Sequence, residues 1–484
     1  MRSSGILLHI SSLPSPYGIG TLGKEAYAFA DFLHAAGQKY WQVLPIGPTG
    51  YGDSPYQSVS TYAGNPYFID PALLMEEGLL TRQELEAIPN RERVDYGELY
   101  TTRYPLLRKA FSRDREFDPR AFVDENPWAE DYALFMAIKD HYRVSWDQWQ
   151  TPLRLRDPVA LGACKEEYEE DIAFYIFLQY HFDKQWNALR TYVHSLGIEL
   201  IGDLPIYVPY DSCDVWAAPH LFQLDEAGLP TAVAGCPPDA FSAEGQLWGN
   251  PLYRWDRMAE DDFAWWRKRL SEAGKRFDVV RLDHFRGLES YWSVPYGDKN
   301  AKGGKWIKGP GQAFLHSLQT HLPHLRLIAE DLGYLTPEVM ALRDASGYPG
   351  MKILEFAFDP REPGNYLPHT YDKNSVCYSG THDNETLLQW QSCVGEEGVR
   401  HAMAYLGLES KDQLHWSLLR LGMASVSDTF IAQMQDYLDL GEEARMNTPG
   451  ILSPQNWSWR MEKDALTPPL AQKLRTLTQL YERL

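Results

Sequence analysis

The chain alternates between short, nearly continuous apolar runs and longer stretches in which apolar residues return every three or four positions. Eight runs rich in Val, Ile, Leu and Tyr stand out: 5–10 (GILLHI), 40–46 (YWQVLPI), 199–206 (ELIGDLPI), 279–285 (VVRLDHF), 325–331 (LRLIAED), 351–358 (MKILEFAF), 375–382 (SVCYSGTH) and 429–436 (TFIAQMQD). Runs this apolar, with helices between them, read as parallel strands buried on both faces. Eight repeats of the unit predict an α/β fold, a closed (β/α)8 TIM barrel. Residues 24–36 place Ala26, Phe29, Phe32 and Leu33 on one helical face and stop at Gly37. A longer amphipathic helix is expected over 167–196, ending at Gly197. Between the second and third runs, 70–165 is charge-rich and punctuated by prolines, with helical patterning near 82–87 and 130–142. It reads as an inserted, mainly helical subdomain, which divides the chain into 1–69, 70–165 and 166–484.

Polar residues gather where the proposed strands end, the face on which barrel enzymes build their active sites. Asp203 closes the third run, Arg281 and Asp283 the fourth, Glu330 and Asp331 the fifth, His382 and Asp383 the seventh. Positions two apart on a strand face the same way, so Arg281 and Asp283 should point together. An adjacent guanidinium favours the ionised carboxylate, which is what a nucleophile needs. A second carboxyl on the next strand, Glu330, would serve as acid and then base if it keeps its proton. Two carboxyls in unlike environments are the equipment of retaining glycosidic-bond chemistry. The alternatives are plain ion pairs at a barrel mouth and, for His382, a packing histidine.

The segments VVRLDHFRG, LIAEDLG and GTHDNET resemble those of the α-amylase superfamily around its nucleophile, acid/base and third carboxylate, and IGDLPIYV resembles the superfamily's third-strand segment. More narrowly, GILLHISSLPSPYGIGTLG, GYGDSPYQS with AGNPYFID, CPPDAFSAEGQLWGNPLY, and EARMNTPG with NWSWR resemble the 4-α-glucanotransferases (amylomaltases, disproportionating enzymes) of glycoside hydrolase family 77. The likeness runs from about residue 5 to 460 and weakens over 70–165. It implies that Asp283 is the nucleophile, Glu330 the general acid/base and Asp383 the carboxylate that stabilises the transition state. It also implies sugar contacts at Ser54, Tyr56, Arg281 and His382, and an acceptor-side loop carrying Asp239, Gln246 and Trp248. Glu355 stands where the family is expected to have Gln, and Ile451 and Pro454-Gln455 depart from the C-terminal motif. The implied reaction moves α-1,4-glucan segments from a donor maltooligosaccharide to the 4-hydroxyl of an acceptor glucose or glucan, with no cofactor and no metal. An α-amylase-like hydrolase with the same carboxylates is the alternative within enzymes. A non-catalytic glucan-binding barrel is the alternative outside them, though all three carboxylate positions are filled.

Charge and composition narrow the partners. Of 484 residues, 46 are basic and 66 acidic, a net charge of −20. A surface that negative disfavours nucleic acid and anionic lipid. The 16 Trp, 29 Tyr and 19 Phe exceed what a core of this size needs, so some are expected to line a sugar-stacking surface. Five scattered cysteines without a CxxC pair suggest neither a zinc ribbon nor a disulfide framework. With no signal-like or membrane-spanning stretch, the expected location is the cytoplasm.

Other signals point elsewhere. Gly18–Gly23 matches GxGxxG, but seven residues with two prolines separate it from the first strand, and the second ends in Leu44-Pro45. A dinucleotide site needs a tight strand-to-helix turn and an acidic residue there. His316, His321 and His324 fit no zinc spacing, and Trp265 and Trp266 sit in a helical stretch where packing is expected. Trp248 is different, because it lies in a Gly/Pro-rich segment, 235–251, read as a loop with Phe241 as a second platform.

Overall fold

The computed structural model describes residues 2–50, 52–238, 242–333, 335–362 and 366–484. Its strands, in chain order, are β1 (Ser3–Leu7), β2 (Tyr40–Gln42), β3 (Glu199–Leu204), β4 (Ala232–Cys236), β5 (Gln246–Pro251) and β6 (Val279–Leu282). They continue with β7 (Ser290–Pro295), β8 (Lys305–Lys308), β9 (Arg326–Ala329), β10 (Gly350–Ile353), β11 (Ser375–Tyr378) and β12 (Thr429–Gln433). Eight of these close a parallel barrel in the order β1-β12-β11-β10-β9-β6-β3-β2. Each predicted run supplies one barrel strand, shorter than the apolar run because the residues past its end turn into the mouth. The barrel interior is filled by inward-facing Ile201, Val279, Ile328, Met351, Ile353, Val376, Tyr378 and Ile431. Large branched and aromatic side chains here make a packed core rather than a pore.

Helices cover the outside. Lys24–Ala35 stops where Gly37 takes a positive φ of 70°, and Glu169–Ser195 ends before Gly197 at 75°. Between β2 and β3 the regular elements among the described residues are helices, with Tyr96–Arg113, Trp128–Tyr142 and Glu169–Ser195 the longest. Among the described residues no α-helix joins β10 to β11.

Several expectations change on contact with the packing. The segment read as a loop contains two strands, β4 and β5, of a second sheet ordered β5-β4-β7-β8 and antiparallel throughout. Its alternation was hidden by glycines and prolines, and β4 pairs with β7, about sixty residues away in sequence. The surplus aromatics go largely inside: Trp41, Trp186, Trp216 and Trp266 are fully buried. Gly20 of the GxGxxG stretch lies so close to the Ile10 carbonyl that an added Cβ would come within 1.7 Å of it. That glycine admits the chain's own backbone, not a phosphate. His321 pairs with Asp262 at 2.9 Å, and no group of His, Cys, Asp and Glu among the described residues is arranged to hold a metal. No described helix is long and apolar enough to cross a membrane.

Glu355, just past β10, is 2% exposed, and neither carboxyl oxygen has a hydrogen-bond partner among the described residues. Burial, with Asp436 and Glu385 nearby, pushes its pKa well above the usual carboxylate range, so the side chain is neutral. An unfolded Glu releases its proton near pH ~4.3. The folded form therefore binds more protons above that pH, and stability falls as pH rises toward the folded value. Glu355→Gln removes the ionisable group while keeping its shape. The melting temperature of Glu355→Gln minus that of the parent should grow as pH rises above about 5, until the folded pKa is passed. A difference that stays flat would show that Glu355 is not held protonated.

Candidate active site

The inward-facing rows that fill the barrel continue past the strand ends as polar residues. Ile201 is followed two positions on by Asp203, Val279 by Arg281 and then Asp283, and Ile328 by Glu330. Strand register sets Asp203 directly beside Arg281. Arg281 Nη1 donates to both oxygens of Asp203, at 2.8 and 2.9 Å, and to Asp283 Oδ1 at 2.9 Å. The Asp203 side chain is fully buried and that of Arg281 is 5% exposed, whereas Asp283 keeps 28% exposure. The paired group is thus sealed beneath one carboxylate that reaches the cleft.

Tyr56 ties this group to the seventh strand end. Its hydroxyl donates to Asp203 Oδ2 at 2.8 Å and lies 3.3 Å from His382 Nδ1. The two rings stack with centroids 4.8 Å apart and an interplanar angle of 16°. Trp457 packs against both, at 5.9 Å from Tyr56 and 5.8 Å from His382. His382 Nε2 in turn lies 3.4 Å from Asp383 Oδ1, which also accepts from Asn447 Nδ2 at 2.6 Å. Its surroundings work against a charge on Asp383, but His382 and the Asn447 amide outweigh them and hold the carboxyl down at about 2. For His382, burial disfavours the cation and Asp383 more than offsets it, so its pKa is raised.

Glu330 lies across from Asp283 on the neighbouring strand. Its Oε2 accepts from the His284 N–H at 2.7 Å and its Oε1 from the Leu332 N–H at 2.9 Å. These bonds and Arg281 favour the ion, but desolvation and the charge of Asp283 win, and the pKa rises to about 7. Near neutral pH such a group both gives and takes a proton. His284 adopts a left-handed φ of 51°, which turns its ring away from the strand row. Burial keeps that imidazole neutral, with its pKa near 4. Trp248 of β5 stands edge-on to it, centroids 4.8 Å apart at 89°, and Trp248 Nε1 donates to Gln246 Oε1 at 3.1 Å.

Of the residues singled out from the sequence, Tyr56, Arg281, Asp283, Glu330, His382 and Asp383 therefore share one mouth. Gln246 and Trp248 reach it through His284, from a strand rather than from a loop tip, which corrects the expectation for Trp248. Ser54 shapes the turn before Tyr56, whose N–H lies 3.3 Å from its Oγ. Asp239 and Phe241 lie outside the described residues. Sequence reasoning assigned nothing to Asn447, Arg445, His284 or Trp457. The signal was present for three of them in EARMNTPG and NWSWR, polar and aromatic residues in a Pro/Gly-rich tail after the last strand.

The arrangement anchors one carboxyl on an arginine, raises the pKa of a second to about 7, and presents a third beside a histidine. The family model for glycoside hydrolase family 77, 4-alpha-glucanotransferase, matches residues 8–467. A 4-alpha-glucanotransferase of Clostridium butyricum is 46% identical over 98% of this chain and 100% of its own length. One of Thermus thermophilus is 46% identical over 100% and 99%. The structure of an amylomaltase from Streptococcus agalactiae in complex with acarbose superposes with a TM-score of 0.97 at 40% identity, covering 100% of both chains. With a family model spanning nearly its whole length and relatives matched end to end, the chain belongs to the 4-alpha-glucanotransferase family, glycoside hydrolase family 77.

Proposed function

We propose that this protein transfers α-1,4-glucan segments from a donor maltooligosaccharide to the 4-hydroxyl of an acceptor glucose or glucan, by a retaining double displacement. The carrying observation is the Arg281 bridge between Asp203 and Asp283, set beside a Glu330 whose pKa is raised to about 7. Asp283 attacks the anomeric carbon while Glu330 protonates the departing glycosidic oxygen. The result is a β-linked glucosyl-enzyme. Glu330, now ionised, takes the proton of the incoming 4-hydroxyl, and the second inversion restores the α linkage. Asp383 accepts from sugar hydroxyls of the distorted ring, and His382 and Tyr56 hold that wall in place. Ser54, with Asp239, completes the sugar contacts of the reading.

Transfer rather than hydrolysis requires that a sugar hydroxyl outcompete water at roughly 55 M, which a bound and oriented acceptor achieves through its effective molarity. Trp248, edge-on to the His284 ring whose residue donates its N–H to Glu330, and Gln246, bonded to Trp248, support an acceptor-side role for β5. Relatives matched over their full length and named for transfer support this choice over a hydrolase. The same reading treats 70–165 as an insertion in the barrel formed by 1–69 and 166–484, and places the protein in the cytoplasm.

Incubation with maltotriose should yield glucose and longer oligomers together, with no net rise in reducing ends. Net reducing-end release without longer products would identify a hydrolase. Asp283→Ala should abolish both products while leaving the melting temperature close to the parent's.

The rate on maltotriose should fall as pH rises through about 7, because glycosylation needs the protonated form of Glu330. Glu330→Gln should slow natural donors by ~10²–10⁴-fold and activated aryl glucosides far less. Equal losses on both would remove Glu330 from the acid role.

Trp248→Ala should lower the ratio of transfer to hydrolysis roughly fivefold, the loss of about 1 kcal/mol of acceptor stacking. Chain redistribution measured against reducing ends decides the matter. If both rates drop by one factor, Trp248 serves the donor instead.

A further inference from the structure

Asp283 and Glu330 each directly follow the last residue of a barrel strand, whereas Asp383 lies five residues past the end of β11. It lies in the stretch between β11 and the helix Leu387–Cys393, and its side chain is 46% exposed. Packing therefore does not fix its direction. Four hydrogen bonds from a second segment do, and all come from residues 445 and 447. Arg445 Nη1 reaches Glu385 Oε1 at 3.0 Å and Arg445 Nη2 reaches the Asp383 main-chain oxygen at 2.8 Å. The Asn447 N–H donates to the His382 carbonyl at 3.1 Å, and Asn447 Nδ2 to Asp383 Oδ1 at 2.6 Å. A fifth bond, Arg445 Nε to the Asn447 carbonyl at 2.8 Å, locks the two donors to each other.

We infer that Arg445 and Asn447 form a bracket that positions Asp383 for the reaction, Arg445 acting through Asn447 and the Asp383 backbone and touching no substrate. The planar guanidinium is the chemical requirement. It holds three acceptors in fixed directions at once, which a lysine ammonium on a flexible stem does not. Its side chain is 16% exposed and that of Glu385 28%, so the ion pair itself adds little stability. Its contribution is direction. Asn447 and His382 both meet Asp383 at Oδ1. Oδ2 is then the oxygen left for a sugar hydroxyl. Releasing the bracket lets the carboxylate turn, and a misplacement of about 1 Å in a reacting group costs on the order of 10²-fold in rate.

The inference rests on the reading of Asp383 as part of the reacting site, so the test includes that residue. Arg445→Ala, Arg445→Lys, Asn447→Ala, the double Arg445→Ala/Asn447→Ala and Asp383→Asn are assayed on maltotriose. Arg445→Ala and Arg445→Lys should each lose kcat by ~10²-fold with KM for maltotriose little changed. The double variant should be no worse than its weaker parent, because two parts of one bracket are not independent. Millimolar guanidinium should restore part of the Arg445→Ala rate and none of the Asn447→Ala rate. Parental kcat in Arg445→Ala with Asp383→Asn inactive would overturn the bracket. So would additive losses without guanidinium rescue, which would make Arg445 an ordinary tertiary contact. Full activity in Asp383→Asn would instead overturn the role of Asp383 on which the bracket depends.

Discussion

Arg281 Nη1 lies 2.8 and 2.9 Å from the two oxygens of Asp203 and 2.9 Å from Asp283 Oδ1, and the rest of the barrel mouth is arranged around that contact. A guanidinium sealed beneath the cleft is sustainable only if its charge is met, since removing one partner of a buried pair costs about 3–5 kcal/mol. Asp203 meets it from below, and its second partner, Tyr56, carries the constraint across to His382. Asp283 meets it from above through Oδ1. One cation thus orients the proposed nucleophile and helps set the wall opposite it. The charge of Asp283 then adds to desolvation in keeping the proton on Glu330. Unlike roles for two carboxyls follow from which of them the arginine touches.

This division of labour explains why the chemistry was readable from the strand ends. Period-two alternation makes Ile201–Asp203, Val279–Arg281–Asp283 and Ile328–Glu330 continue the same inward rows, so a correct strand assignment places them in the mouth. The eight barrel strands were legible for the same reason: each is apolar on both faces. Where local pattern does not carry the answer, the expectation failed. Strands β4 and β5 interrupt their alternation with Gly235, Gly249 and Pro251, and β7, the second partner of β4, is remote in sequence, so they read as loop. Trp248 was expected at a loop tip and stands instead on β5. Arg445, Asn447 and Trp457 act through contacts with residues over sixty positions earlier in the chain, and no spacing rule reports those.

The two halves of the cleft are built differently. On the donor side, the carboxylates stand at barrel strand ends or, for Asp383, are held by main-chain and guanidinium bonds from 445–447. On the other side, Trp248 and Gln246 come from a small antiparallel sheet, and Trp248 meets both the neutral imidazole of His284 and the ring of Tyr207. In the proposed reaction, carboxylates fixed at strand ends suit a covalent intermediate that must wait for its acceptor, and a separate sheet over the proposed acceptor side is a means of excluding water.

The most direct test of Asp283 as the nucleophile is to trap the glucosyl-enzyme. A fluorinated α-glucosyl fluoride forms the intermediate quickly and releases it slowly, and peptide mass spectrometry then locates the added sugar. The label should fall on Asp283, within the peptide spanning VVRLDHFR, and the first-formed transfer product should have the α configuration. A label on Glu330 or Asp383, or a β product with no trapped enzyme, would contradict a double displacement through Asp283.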